Sequence, residues 1–183
     1  MKVSEIYFED EVLKACVLAT GKENAEDIKE LVCRKQKIKS AVGIEHLVNL
    51  KMLDLTRNEL NEIDLSSNTK LEDLFLGNNE LTSINLSGCS ELNYMEIFIN
   101  QLEELDVSNN PLLESICANK NDLESIDLSK NKELMDLRLS GNELTEIDIS
   151  ANEKLKRLDL DKNPLTETVK SALQKLEIAK IQL

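Results

Sequence analysis

An α/β repeat protein is predicted, a right-handed coil with a parallel sheet along one face and a helical cap at each end, on three observations. A 21-residue aliphatic period runs through the middle of the chain, from Leu50 to Leu165. Leu and Ile dominate an apolar set of 41 %, while aromatic residues make up 3 % and Trp is absent, as befits a core filled by one repeated aliphatic position. One Asn recurs in every period at the same place. A chain of 183 residues is long enough for one continuous core.

Written as successive lines beginning at Leu50, Leu71, Leu92, Leu113, Leu134 and Leu155, the sequence puts aliphatic residues at line positions 1, 4, 6 and 11 throughout, with Ala118 the smallest. Position 14 is Ile63, Ile84, Leu105, Ile126 and Ile147, and position 16 is Leu65, Leu86, Val107, Leu128 and Ile149; the last line breaks the pattern at Thr168. A single line cannot bury such a set by itself. Stacking the lines gives every aliphatic row a continuous partner, so the core is a column.

Position 9 is Asn58, Asn79, Asn100, Asn121, Asn142 and Asn163. At the exit of a strand, an Asn amide turned inward can bond the backbone groups that the bend leaves unpaired. A second row, Asn68, Asn110, Asn131 and Asn152, occupies position 19, with Cys89 in place of Asn in the second line. The segments LKMLDLTRN, LEDLFLGNN and LMDLRLSGN resemble the LxxLxLxxN unit of leucine-rich repeats. The second halves, LNEIDLSSN, LESIDLSKN and LTEIDISAN, resemble the nested 21-residue class of bacterial, internalin-like proteins. The resemblance covers roughly residues 28–165 and implies a leucine-rich-repeat solenoid, horseshoe-like, that recognises another protein.

The ends are predicted as caps on one structural unit. Residues 1–49 form an N-terminal cap with a degenerate first repeat, residues 50–165 the repeats, and residues 166–183 a C-terminal capping helix. In residues 5–20, Phe8, Val12, Leu13, Cys16 and Val17 fall on one helical stripe that would cover the open end of the column. ELVCRKQKI reads as a degenerate first strand with Leu31 and Cys33 inward, and GIEHLVNL as the join to the first regular repeat. TGKENAEDIKEL lacks the alternating Asp/Asn oxygens and central Gly of a calcium loop. At the other end Thr166 is the expected N-cap, with Val169, Leu173 and Leu176 on one apolar face.

Thirty-five acidic against 22 basic side chains give a formal charge of -13, which disfavours nucleic acid and anionic membrane surfaces and would steer a basic protein partner instead. No stretch approaches the ~20 apolar residues of a membrane helix. The four cysteines, Cys16, Cys33, Cys89 and Cys117, are irregularly spaced without a CxxC or His companion, so neither a zinc site nor a disulfide framework is expected. Cys16 and Cys33 are read as small buried hydrophobes, and reduced thiols place a full-length chain in the cytoplasm; a chain that had lost a leader would be secreted or at the cell surface.

In the strand segment, positions 4 and 6 point inward, so positions 3, 5 and 7 point out. Second-half position 15 is nearly uniform (Asp64, Asn85, Asp106, Asp127, Asp148) and is followed two residues on by Ser. Such uniformity indicates a shared structural bond. The first-half face is diverse instead, and the candidate partner-binding residues are Met52, Asp54, Asp73, Phe75, Tyr94, Glu96, Phe98, Cys117 and Arg138. Aromatics ringed by charge have the composition of an interface hot spot. Seven strands at ~4.8 Å with three outward residues each give a face of roughly 600 Å², against about 800 Å² per partner in a standard interface.

Catalysis is not expected. His46, the single histidine, has no paired nucleophile, Cys117 has no base in its line, and five glycines build no phosphate loop. No cofactor and no metal are called for. The function expected is therefore non-catalytic protein recognition on the outer face of the sheet. The alternatives are a cytosolic immunity or inhibitor protein that neutralises a basic toxin or nuclease, and, from the resemblance, an internalin-like surface adhesin.

Overall fold

A computed structural model describes residues 1–176 and 178–183. Strand β1 (Glu30–Val32) is followed, one line at a time, by β2 (Met52–Asp54), β4 (Asp73–Phe75), β6 (Tyr94–Glu96), β7 (Ser115–Cys117), β8 (Asp136–Arg138) and β9 (Arg157–Asp159), all parallel, and β10 (Lys180–Gln182) closes the row. Between β2 and β9 each residue pairs with the one a full line later, as in Leu53 with Leu74 and Leu74 with Met95. The expected solenoid is therefore present. Its aliphatic rows are the core: Leu53, Leu74, Met95, Ile116, Leu137 and Leu158 are fully buried in one column, and Leu55, Leu76, Ile97, Ala118, Leu139 and Leu160 in the next. Burying a Leu or Ile contributes roughly 2 kcal/mol, and stacking supplies that burial from both sides.

The Asn rows seal the column. Asn121 is typical of position 9: its Nδ2 donates to the carbonyls of Ala118 (3.0 Å) and of Ile97 in the preceding line (3.1 Å), while its Oδ1 accepts the Leu102 N–H (3.2 Å). The same three bonds recur at Asn79, Asn100, Asn142 and Asn163. At position 19, Asn110, Asn131 and Asn152 also donate to two backbone carbonyls each.

Among the described residues, second-half strands are found only near the start, where β3 (Glu62–Asp64) pairs with β5 (Ser83–Asn85). The position-15 row is a set of turn-forming acceptors. Asp64, Asp106, Asp127 and Asp148 each take the backbone N–H of the Ser two residues on, at 2.8 or 2.9 Å, and these bonds hold the carboxyls below their ordinary range.

Among the described residues, α-helix is confined to the ends. Helix α1 (Glu11–Leu18) starts at Asp10, whose Oδ1 accepts the Val12 and Leu13 N–H groups and whose Oδ2 accepts the Lys39 N–H, joining helix start to first line. Phe8, Leu13 and Val17 are buried as expected, but Val12 is exposed. The cysteine expectation is corrected here. Cys16 and Cys33 form a disulfide with Cα atoms 6.2 Å apart, because α1 crosses the open end of the column and brings its inner stripe onto the residue that follows β1.

The C-terminal helix is also corrected. Helix α2 is capped by Thr166 as expected, but spans only Glu167–Leu173, with Leu173 buried, Val169 half-buried and Leu176 exposed beyond its end. The chain then returns as β10, where Lys180 N–H bonds Lys156 O and Leu160 N–H bonds Gln182 O. An unpaired edge on β9 costs its backbone bonds, and the short strand β10, with Ile181 at its centre, supplies them. Position 177, inside the span expected to be helical, lies outside the described residues.

Replacing Asn121 by Ala leaves the Leu102 N–H and two carbonyls without their partner in a buried setting. The expected loss is about 2–4 kcal/mol in urea unfolding, and a loss below ~0.5 kcal/mol would refute the structural role given to this row.

Candidate functional site

Register sets two outward rows side by side on the large sheet. One runs Met52, Asp73, Tyr94, Ser115, Asp136, Arg157; the other runs Val32, Asp54, Phe75, Glu96, Cys117, Arg138, Asp159. Strand neighbours in such rows stand ~4.8 Å apart, close enough for side chains to pack.

The half nearest the N-terminus is apolar. Phe75 and Tyr94 lie with ring centroids 5.4 Å apart and planes tilted by 40°, a favourable aromatic contact. The Tyr94 hydroxyl donates to Glu96 Oε1, and burial, then this bond and the Glu96 charge, push the phenol up from its ordinary value. Phe98 lies over Gly77, where a Cβ would come within 2.6 Å of its ring, so the glycine is the socket that lets the ring lie down. Met52, Phe75, Tyr94 and Phe98 are accordingly half-buried rather than fully exposed. Two flanking residues stand further out, Val32 at 51 % and Ile99 at 40 % exposure.

Ile99 has φ of 54°, in the left-handed region. Every line bends at position 8 in this way, through Arg57, Asn78, Ile99, Lys120, Gly141 and Lys162, and Ile99 is the one β-branched side chain among them. Branching at Cβ makes that conformation costly, by about 1–2 kcal/mol. An exposed apolar residue held there carries that cost without burial in the core to offset it.

The half nearest the C-terminus is charged. Arg138 bonds Asp136 in two places, Nε to Oδ1 at 3.1 Å and a terminal nitrogen to Oδ2 at 2.8 Å, and Arg157 reaches the same Oδ2 at 3.3 Å. The hydrogen bond to Asp136 is the largest influence raising the Arg138 pKa, so the guanidinium stays fully charged.

Two predicted contact residues are corrected. Asp54 faces outward but is only 1 % exposed: Arg34 lies across it and pairs with its carboxylate, and Thr56 N–H donates to its Oδ1 at 3.0 Å. Burial alone would raise its pKa, yet the Arg34 hydrogen bond leads the influences that lower it on balance. The group presented to solvent is Arg34, in the degenerate first line, where no repeat alignment marks it. Cys117 is 7 % exposed, and burial pushes its thiol up, so it is no reactive nucleophile. Asp73, Glu96 and Arg138 are half-buried and reach the surface. Asp73 is raised, by burial and by the neighbouring Glu72 charge.

The leucine-rich-repeat family model matches residues 101–119 and 154–176. In structure, the chain is similar along its whole length to the functional domain of InlJ from Listeria monocytogenes, which includes a cysteine ladder, with a TM-score of 0.56 and 23 % identity. The chain has a leucine-rich-repeat fold of internalin-like form. A second leucine-rich-repeat structure, from Leptospira interrogans, is similar over 86 % of the chain, with a TM-score of 0.64 and 23 % identity. This chain spans 61 % of the InlJ domain and 49 % of the Leptospira protein. Among curated proteins none matches it at a significant level. Alignment of the lines in the sequence places the outward rows of the six regular lines but does not reach Val32 or Arg34 in the degenerate first line, or β10.

Ile99→Asn removes the branched side chain from a left-handed position that Asn tolerates, and is expected to raise stability by about 1 kcal/mol. Chemical denaturation measures this; a destabilised variant would show that Ile99 supports packing instead.

Proposed function

We propose that the apolar half of the outward sheet face docks another protein, without catalysis, through Phe75, Tyr94 and Phe98, with Met52, Asp73, Glu96 and Ile99 around them and Arg138 at the rim. The aromatic cluster carries this reading. Large rings anchored on a rigid sheet, half-buried already and ringed by charge, lose little freedom when a partner covers them. With β10 the sheet has eight strands, so at ~4.8 Å each the face is roughly 38 Å long, closer to a standard footprint than seven strands allow. The charge of -13 favours a basic partner. A non-catalytic role is supported by the burial of both free thiols, Cys89 and Cys117.

The disulfide between Cys16 and Cys33 supports an oxidising compartment and so favours an exported, surface-acting protein over a cytosolic inhibitor. Among the described residues no helix is long and apolar enough to cross a membrane.

Protein captured from the source organism's surroundings by the native chain should be lost when Phe75, Tyr94 and Phe98 are all changed to Ala; retention of the same partners by the triple variant would refute the docking site. Independently, thiol titration of the unfolded, unreduced chain should find two free thiols rather than the four cysteines of the sequence. Four reactive thiols would overturn the oxidising-compartment reading.

A further inference from the structure

A second surface lies on the other half of the repeat. The first line follows the second closely at two places: Glu59 N–H bonds Ile38 O at 2.9 Å, and Asn68 Nδ2 bonds the carbonyls of Ile44 and Leu47. Between them it is drawn aside toward the cap, where Lys39 N–H donates to Asp10 and the Ser40 hydroxyl to Glu9. The result is a groove of about 1230 Å³ with β3 and β5 as floor and the cap as wall.

Strand β3 has one partner, β5, so its cap-side edge is unpaired among the described residues. Leu65 N–H bonds Asn85 O and Asn61 O accepts Thr82 N–H, which turns the odd-numbered residues toward β5. In a parallel strand the alternate residues then direct their N–H and C=O groups to the opposite side. Those are Glu62 and Asp64, and they open on the groove.

The side chains around this edge are one-signed. Glu9, Asp10, Glu45, Glu62 and Asp64 line the groove against a single Lys39, and Lys39 is itself paired with Glu59 at 3.7 Å. A second copy of this chain, at -13, is repelled, as are nucleic acid and anionic lipid. A helix ~10 Å across keeps its backbone groups to itself and cannot pair with an edge. An extended segment can, since strand addition supplies main-chain bonds and alternate side chains supply selectivity.

We propose that this groove binds an extended, lysine- or arginine-rich segment of a partner protein, which adds as a strand to the cap-side edge of β3 while its basic side chains meet Glu45, Glu62 and Asp64. The surface is separate from the aromatic face and does not depend on it.

The test uses the full chain and a fluorescent ten-residue peptide alternating Lys and Thr, with two controls: the same peptide N-methylated at alternate residues, and one with Glu for Lys. Saturable binding of the Lys peptide at low salt is expected, together with slowed amide exchange at Glu62 and Asp64 and retention of binding by the F75A/Y94A/F98A variant. Glu62→Lys should weaken binding about tenfold by reversing an exposed charge at the edge; Glu62→Gln replaces it if the reversal unfolds the chain. N-methylation should abolish binding. Equal affinity of the methylated peptide would reveal charge attraction without strand pairing and overturn the proposal, as would absence of saturable binding, unchanged exchange at the two amides, or indifference of a folded Glu62 variant.

Discussion

A buried amide at the exit of each strand is the bond on which the rest of this structure depends. A parallel column needs the chain to leave every strand by a sharp bend, and a bend strands backbone groups in the core. At Asn79, Asn100, Asn121, Asn142 and Asn163 one side chain satisfies its own line, the line before and an N–H of the preceding loop. No other side chain of that size carries two donors and an acceptor in one plane. The row at position 19 demands less. There Asn68, Asn110, Asn131 and Asn152 use their N–H groups, while their Oδ1 atoms meet no protein donor. A position that requires only donation can accept a thiol, and Cys89 stands there with its Sγ 3.3 Å from Leu65 O. The exception in the sequence row is thus explained by what the row does.

The same bend sets the outer face. Because the turn is fixed by the Asn and by the left-handed residue before it, the three outward residues of each line are released from structural duty and can differ from line to line. Their differences are arranged rather than scattered. Aromatic and aliphatic side chains gather over β1 to β6, and Asp136, Arg138 and Arg157 knit together over β8 and β9. Arginine held in two places by a carboxylate is a rigid polar surface. Beside it the tilted Phe75–Tyr94 pair and the ring over Gly77 form a rigid apolar one.

Repetition decided what was legible in the sequence. Periodic rows place Leu53, Leu74 and Asn100 correctly because each has equivalents in other lines, and the outward positions follow from the same arithmetic. What periodicity does not reach is a contact made once. Arg34 covers Asp54 from a line too degenerate to align, so a carboxylate read as a contact group is a buried anchor. The Cys16–Cys33 pair depends on how α1 crosses the column, which irregular spacing conceals. Strand β10 pairs Ile181 with Leu158, a separation of 23 rather than 21, and its apolar residues fit a helical stripe equally well on paper. The unpaired edge of β9, visible only in three dimensions, selects the strand.

Where the repeat starts, its regularity must fail, and the consequences collect at that end. The first line has no neighbour before it, so its aliphatic row needs a helix to cover it. The disulfide that closes a loop between positions 16 and 33 fixes that helix at a stabilisation of about 3 kcal/mol. Holding the cap in place also pulls the chain around Lys39 and Ser40 away from β3, which leaves an edge that any interior line would have covered. The aromatic cluster sits over the same first lines on the opposite half of the repeat. At the C-terminal end β10 adds directly to β9 and becomes the edge strand of the large sheet. A strand continues the large sheet at one end, while a crossed helix at the other leaves a groove beside β3, so the two ends of one column differ in what they present.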